Sequence, residues 1–268
     1  MNKTIGFIGG GNMAQAIIRG LLAAGHPAQK IAVADPGDTA RSALSEIDSG
    51  MLVGDDNAAV AAAADVLVLA TKPQYIVDVA QQCAGSNQEL VVSIAAGITL
   101  ASIEAALGDN VAVVRIMPNT PSLVGRGMAG LVGNAAVGDA EKVIADSIVA
   151  ATGTGIWVSD EAMMDAVTAV SGSGPAYFFM MMELLADGAE SFGFDKATAR
   201  QLAVETALGA ATLASAEDVD LAELRRRVTS PGGTTEAACT TLEAGGIREL
   251  FEKALTAARD RSIELGKS

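Results

Sequence analysis

The stretch Thr4-Ile5-Gly6-Phe7-Ile8-Gly9-Gly10-Gly11-Asn12-Met13-Ala14 decides how this chain is read. Residues 4–8 predict a short buried strand, and a G-x-G-x-x-A pattern over 9–14 follows at once. The helix that opens there carries apolar residues at Met13, Ala16, Ile17, Leu21 and Leu22, close to a 3.6-residue period. Gly9 makes the tight turn, Gly11 lets the backbone approach a pyrophosphate, and Ala14 allows close helix–strand packing. Residues 31–35 read as the next strand. Asp35 ends it, where a carboxylate would meet a ribose hydroxyl; the same position before Pro36 also suits a turn residue.

Strand and helix patterns alternate outward from this unit. Further strands are expected near 51–53, 66–70, 90–94, 111–117, 128–132 and 156–158, with helices near 39–49 and 100–107. The uninterrupted apolar run at 66–70 is that of a parallel strand covered on both faces. β-α-β connections then give an α/β, Rossmann-like, doubly wound and mostly parallel sheet. The pattern changes after Ser159, beyond which only helical stretches rich in Ala, Leu and Met are found. The expected organisation is a dinucleotide-binding domain over 1–159 and an all-helical domain over 160–268. No flexible linker separates them, so a fixed interface is expected, and the apolar helices could serve a partner subunit.

Composition removes several classes of function. A chain of 268 residues holds two domains of ordinary size, and half of its residues are hydrophobic. Aromatic residues make up 3%, too few for base-stacking surfaces, and a net charge of −14 opposes both nucleic acid and an anionic membrane surface. Cys83 and Cys239 are far apart in helical patterns, as for free thiols in a reducing compartment. No apolar run reaches membrane-spanning length, and Met1-Asn2-Lys3 leads directly into a core strand without a signal peptide. A cytoplasmic location is expected.

Ligands of doubly wound sheets bind at the carboxyl edge of the strands. Three segments end there: Ala70-Thr71-Lys72-Pro73, Ala95-Ala96-Gly97 and Met117-Pro118-Asn119-Thr120-Pro121. Together they are expected to line a nicotinamide pocket, although each taken singly is an ordinary loop. His26, the sole histidine, lies on the opposite edge and is expected to be exposed and structural. Glu183, Asp187 and Glu190 share a helix face, better suited to solvent or an interface than to magnesium, and no metal site is expected. With no histidine base, metal or evident nucleophile, hydride transfer is the simplest remaining chemistry, and a C=N acceptor suits it.

A second informative run is Val228-Thr229-Ser230-Pro231-Gly232-Gly233-Thr234-Thr235-Glu236-Ala237. Its glycines free the backbone, and its hydroxyls stand where the next helix begins. Amides at such a helix start can hold a small carboxylate, with Thr235 or Ser230 beside a ring nitrogen, though a capped turn has the same composition.

These pieces, together with ATKPQ, VSIAAGIT, VVRIMPNTP, DAVTAVSGSGPAYFF and LRRRVTSPGGTTEAA, resemble the pyrroline-5-carboxylate reductase family over essentially the whole chain. The resemblance implies reduction of 1-pyrroline-5-carboxylate to L-proline with NADPH or NADH. It implies that Ile8, Gly9, Gly10, Gly11, Asn12 and Met13 hold the cofactor pyrophosphate and that Asp35 lies at the adenosine ribose. Asn57, Ala70, Thr71, Lys72 and Pro73 would add cofactor contacts, beside Ala96, Gly97 and Asn119 from the strand ends. Ser230, Gly232, Gly233, Thr234 and Thr235 would bind substrate, with Thr235 as the catalytic hydroxyl. It also implies a helical dimerisation domain, with dimers in some members assembled into rings. A carboxylate at Asp35 should repel a 2′-phosphate unless Arg41 compensates, so coenzyme preference stays open. Glu217 and Asp218 are both candidates for a further acidic substrate contact. A β-hydroxyacid dehydrogenase would need a lysine over 176–194, where there is none, and a non-catalytic dinucleotide sensor would not need the 228–237 run.

Overall fold

The computed structural model describes residues 2–86, 88–108 and 110–266. Eight strands, β1 (Ile5–Ile8), β2 (Ile31–Ala34), β3 (Leu52–Gly54), β4 (Val66–Leu69), β5 (Leu90–Ser93), β6 (Val113–Met117), β7 (Gly127–Gly133) and β8 (Gly153–Trp157), form one sheet in the order β3-β2-β1-β4-β5-β6-β7-β8. Every residue of β1, β2, β4 and β5 is buried, which explains their unbroken apolar runs. Side-chain alternation feeds two cores. Phe7, Val33 and Val68 pack with Ile17, Ile18 and Leu21 of α1 (Asn12–Ala23), whereas Ile8, Leu67 and Val91 pack with Val60, Ile76 and Ile103 from helices on the other face. Each such fully buried side chain contributes roughly 1.5–3 kcal/mol.

The remaining helices around the sheet are α2 (Asp38–Ile47), α3 (Asn57–Ala63), α4 (Ile76–Gln82), α5 (Leu100–Leu107) and α6 (Asp139–Ala150). Strand order reverses between β1 and β4, which opens the crevice where doubly wound sheets take their ligands.

Two expectations about the sheet need correction. The connection between β6 and β7 is not a β-α-β crossover: the two strands pair antiparallel, with Ile116 opposite Leu131. Residues 118–126 hold only a short 3₁₀ turn, Thr120–Val124, and are too few for a crossover helix. β8 also begins at Gly153, before the apolar residues that advertise it. A third correction concerns His26, which is buried, at 8% exposure, and its Nε2 has no hydrogen-bond partner among the described residues. Gly25, at φ +87°, turns the chain back so that the His26 amide donates to the Leu21 carbonyl at 2.9 Å.

Beyond Trp157 the described residues form helices without strands: α7 (Met163–Val167), a wider turn at Thr168–Gly172, α8 (Gly174–Ser191), α9 (Lys196–Ala216), α10 (Leu221–Arg227), α11 (Thr234–Ala244) and α12 (Ile247–Leu265). Compactness divides the chain after Ser173, with Met1–Ser173 and Ala258–Ser268 in one unit and Gly174–Ala257 in the other. The first unit therefore recruits the end of α12. Ser262 donates to Asp165 at 2.6 Å, and Gly97 lies against the Leu265 carbonyl. In the second unit only Gly174, Ala199 and Ala203 are buried among the described residues, while Phe178, Met180, Leu184, Phe192 and Leu250 are exposed. Such a unit has almost no core of its own.

Candidate active site

The glycine loop after β1 is shaped for close backbone approach. Gly9 adopts φ +102°, and a Cβ there would lie 2.7 Å from the Ala70 carbonyl oxygen at the end of β4. A Cβ on Gly11 would meet nothing within 4 Å, so open space faces the start of α1. No side chain caps that helix, which leaves its first amides and the positive end of its dipole to an anion. Ile8, Gly9 and Gly10 are buried, Gly11 and Asn12 are exposed, and Met13 packs partly into the core.

Asp35 braces this loop from β2. Its Oδ2 accepts from the Gly10 amide at 2.7 Å and its Oδ1 from the Gly37 amide at 2.8 Å. Arg41 does turn toward this corner: Nη1 donates to the Asp35 carbonyl at 2.7 Å while Nη2 pairs with Asp38. A cation and a carboxylate thus share the end of β2.

At the strand ends, Ala70 and Thr71 are partly buried, and Lys72, Pro73 and Ala96 are exposed. The Thr71 hydroxyl oxygen is buried without a partner among the described residues. Asn57 begins α3 and donates to Gln82 at 2.7 Å. Gly97 adopts φ +76°. Asn119, expected to line the nicotinamide pocket, is held by backbone groups. It is 8% exposed, donating to the Ser171 carbonyl at 2.9 Å and accepting from the Met128 amide at 2.9 Å. It ties the β6–β7 turn to the segment after α7. An ion pair that sequence inspection missed joins buried Arg115 to half-buried Glu161, Nη1 to Oε1 at 3.0 Å, with Glu161 also accepting from the Leu100 amide.

In the second unit, residues 230–233 form a turn closed by the Gly233 amide on the Ser230 carbonyl at 3.0 Å. Proline second and a positive-φ glycine third, Gly232 at +71°, are the requirements of a type II turn. Gly233 starts α11 without a side-chain cap, and the first backbone bond of the helix runs from the Ala237 amide to the Gly233 carbonyl. The amides of Thr234, Thr235 and Glu236 are therefore left without helical acceptors. The hydroxyls of Ser230, Thr234 and Thr235 make no hydrogen bond among the described residues. The Gly232 amide is not available, because it donates to Glu236 Oε2 at 2.7 Å.

The arginines ahead of this loop, and Arg248 beyond it, are already engaged. Arg225 and Arg248 pair with Glu243, Arg226 with Glu223, and Arg227 with Glu223 and Glu217. Hydrogen bonds from Arg226 and then Arg227 hold the Glu223 carboxyl down at about 2. Of the two open acidic candidates, Glu217 is the one committed to Arg227, at 2.6 Å, and Asp218 is exposed. With these arginines paired, the groups that the loop itself presents are amides and hydroxyls.

Comparison with known proteins shows the family. Pyrroline-5-carboxylate reductase from Pseudomonas aeruginosa is 49% identical over 265 residues, covering 98% of this chain and 97% of the relative. The chain belongs to the pyrroline-5-carboxylate reductase family. Residues 161–265 match the pyrroline-5-carboxylate reductase dimerisation model, and residues 4–97 match the model described as NADP oxidoreductase, coenzyme F420-dependent. Among solved structures, a pyrroline-5-carboxylate reductase from Coxiella burnetii matches with TM-score 0.95 and 44% identity, both chains being fully covered. The Plasmodium falciparum pyrroline carboxylate reductase, solved with NADP bound, matches at TM-score 0.86 and 27% identity over 99% of this chain and 98% of its own. Membership of the pyrroline-5-carboxylate reductase family places the chain among NAD(P)H-dependent oxidoreductases.

Proposed function

We propose that this chain reduces 1-pyrroline-5-carboxylate to L-proline, and that the 230–236 turn is where the substrate binds. The observation that carries the reading is the start of α11, where amides and hydroxyls without partners among the described residues stand together on one turn. Amides of Thr234 and Thr235, with the Ser230 hydroxyl, would hold the substrate carboxylate, each charge-assisted hydrogen bond contributing roughly 1.5–3 kcal/mol. Gly232 and Gly233 shape the turn. The Thr235 hydroxyl would accept from the N–H of the protonated ring nitrogen, orienting the electrophilic carbon, and would donate to the lone pair that develops on that nitrogen as hydride arrives.

A bound NADPH or NADH supplies the hydride. The open cradle at Gly11 fits its pyrophosphate, and Ile8, Gly9, Gly10, Asn12 and Met13 form the walls. Asp35 serves the adenosine ribose, with Asn57, Ala70, Thr71, Lys72, Pro73, Ala96 and Gly97 along the cofactor. Asn119 is assigned to the same site, where its engaged amide shapes the loop. The functional division of the chain is placed at 159/160, at the end of the sheet. The exposed apolar helices support a homodimer; further assembly into a ring of dimers and activity in the cytoplasm belong to the same proposal.

Mixing the protein with reduced coenzyme and 1-pyrroline-5-carboxylate, and following reduced-nicotinamide absorbance, tests the reading. Coenzyme oxidation with the imine is expected. No oxidation with it, alongside turnover of a hydroxyacid, would overturn it.

A further inference from the structure

We infer that Glu236 is a positioning residue that fixes the substrate turn, and that its charge sets a limit on how tightly the substrate carboxylate is held. The inference rests on reading residues 230–236 as the substrate site. Gly232 adopts φ +71°, and a Cβ there would touch nothing within 4 Å, so side-chain packing does not hold the turn in place. Its amide lies outside the turn's own Gly233-to-Ser230 hydrogen bond and is taken instead by Glu236 Oε2 at 2.7 Å. This bond spans the turn from Gly232 to the first turn of α11, where the partnerless amides stand. Glu236 therefore fixes the direction of the Thr234 and Thr235 amides relative to Ser230.

The same carboxylate is a negative charge within the first turn of the helix that would receive the substrate's own carboxylate. Bracing and repulsion are separable by substitution: Glu236→Ala removes both, whereas Glu236→Gln keeps an acceptor oxygen and removes the charge.

Steady-state kinetics on the full chain test this, with Thr235→Val as the control for the site. Glu236→Ala should raise KM for the imine about tenfold, leave kcat within about twofold, and leave KM for the coenzyme unmoved. Glu236→Gln should bring KM for the imine back to the wild-type value or below it. A coenzyme KM that shifts as much as the imine KM would overturn the inference, as would equal increases in imine KM for both variants. If Glu236→Ala is silent while Thr235→Val is impaired, the positioning role fails and the site stands. If Thr235→Val also leaves both constants unchanged, the loop is not the substrate site and the inference falls with it.

Discussion

The amide of Gly10 donates to the carboxylate of Asp35 at 2.7 Å, although the two residues are 25 positions apart in the chain. The acid that would meet the adenosine ribose is therefore also the brace of the glycine loop, so its replacement has two consequences. Asp35→Ser should shift the ratio of kcat/KM toward NADPH about tenfold by removing like charge from the 2′-phosphate, and should weaken binding of both coenzymes. Paired kinetics and direct titration measure the two effects. An unmoved ratio would place Asp35 away from the ribose.

Gly9 and Gly11 should respond differently to alanine. At Gly9 the new Cβ meets the Ala70 carbonyl oxygen and demands φ +102°, so Gly9→Ala should lower both Tm and coenzyme affinity. At Gly11 the Cβ enters open space, so Gly11→Ala should keep Tm within about 2 °C, a stability change of under ~1 kcal/mol, while losing coenzyme affinity tenfold or so. Equal thermal losses in both variants would count against an open cradle.

Thr235→Val keeps the side-chain shape and removes the hydroxyl. If that hydroxyl meets the ring nitrogen as hydride arrives, kcat falls roughly 10²-fold, as for other lost transition-state donors. A rise in KM at constant kcat would instead assign Thr235 to ground-state binding.

The sparse burial of Gly174–Ala257 predicts association. Exposed apolar surface of this extent marks a contact with another chain. Light scattering at micromolar concentration should report at least twice the 27.0 kDa chain mass. A fully active monomer at that concentration would contradict it.

Much of this was legible in the chain itself. A strand buried on both faces is written as a continuous apolar run, as in Val66–Leu69, and the glycine pattern after Ile5–Ile8 marked the tight strand-to-helix turn. The direction of β7 was harder to read, because periodicity reports a strand but not its sense; only the shortness of 118–126 hinted at it. β8 opens with Gly153, Thr154 and Gly155, which carry little apolar side chain to announce a strand. His26 is buried by the turn at Gly25, a geometry that composition does not encode. The Ser230–Thr235 run was recognisable by its hydroxyls and glycines. Its Glu236 brace was not, since the bond depends on which way the Gly232 peptide faces. Asn119 looked available for a ligand because its strand-end position was visible, whereas its two backbone partners were not.

The return of α12 to the first unit has a consequence for synthesis. All eight strands have left the ribosome once Trp157 has emerged, so the sheet can form early. Asp165, however, receives its bond from Ser262, 97 positions later, and Gly97 packs against Leu265, later still. A nascent chain thus holds its turn at Gly97 without that support until α12 has left the ribosome. Ribosome-bound intermediates should show protease cleavage near residue 97 that disappears on release.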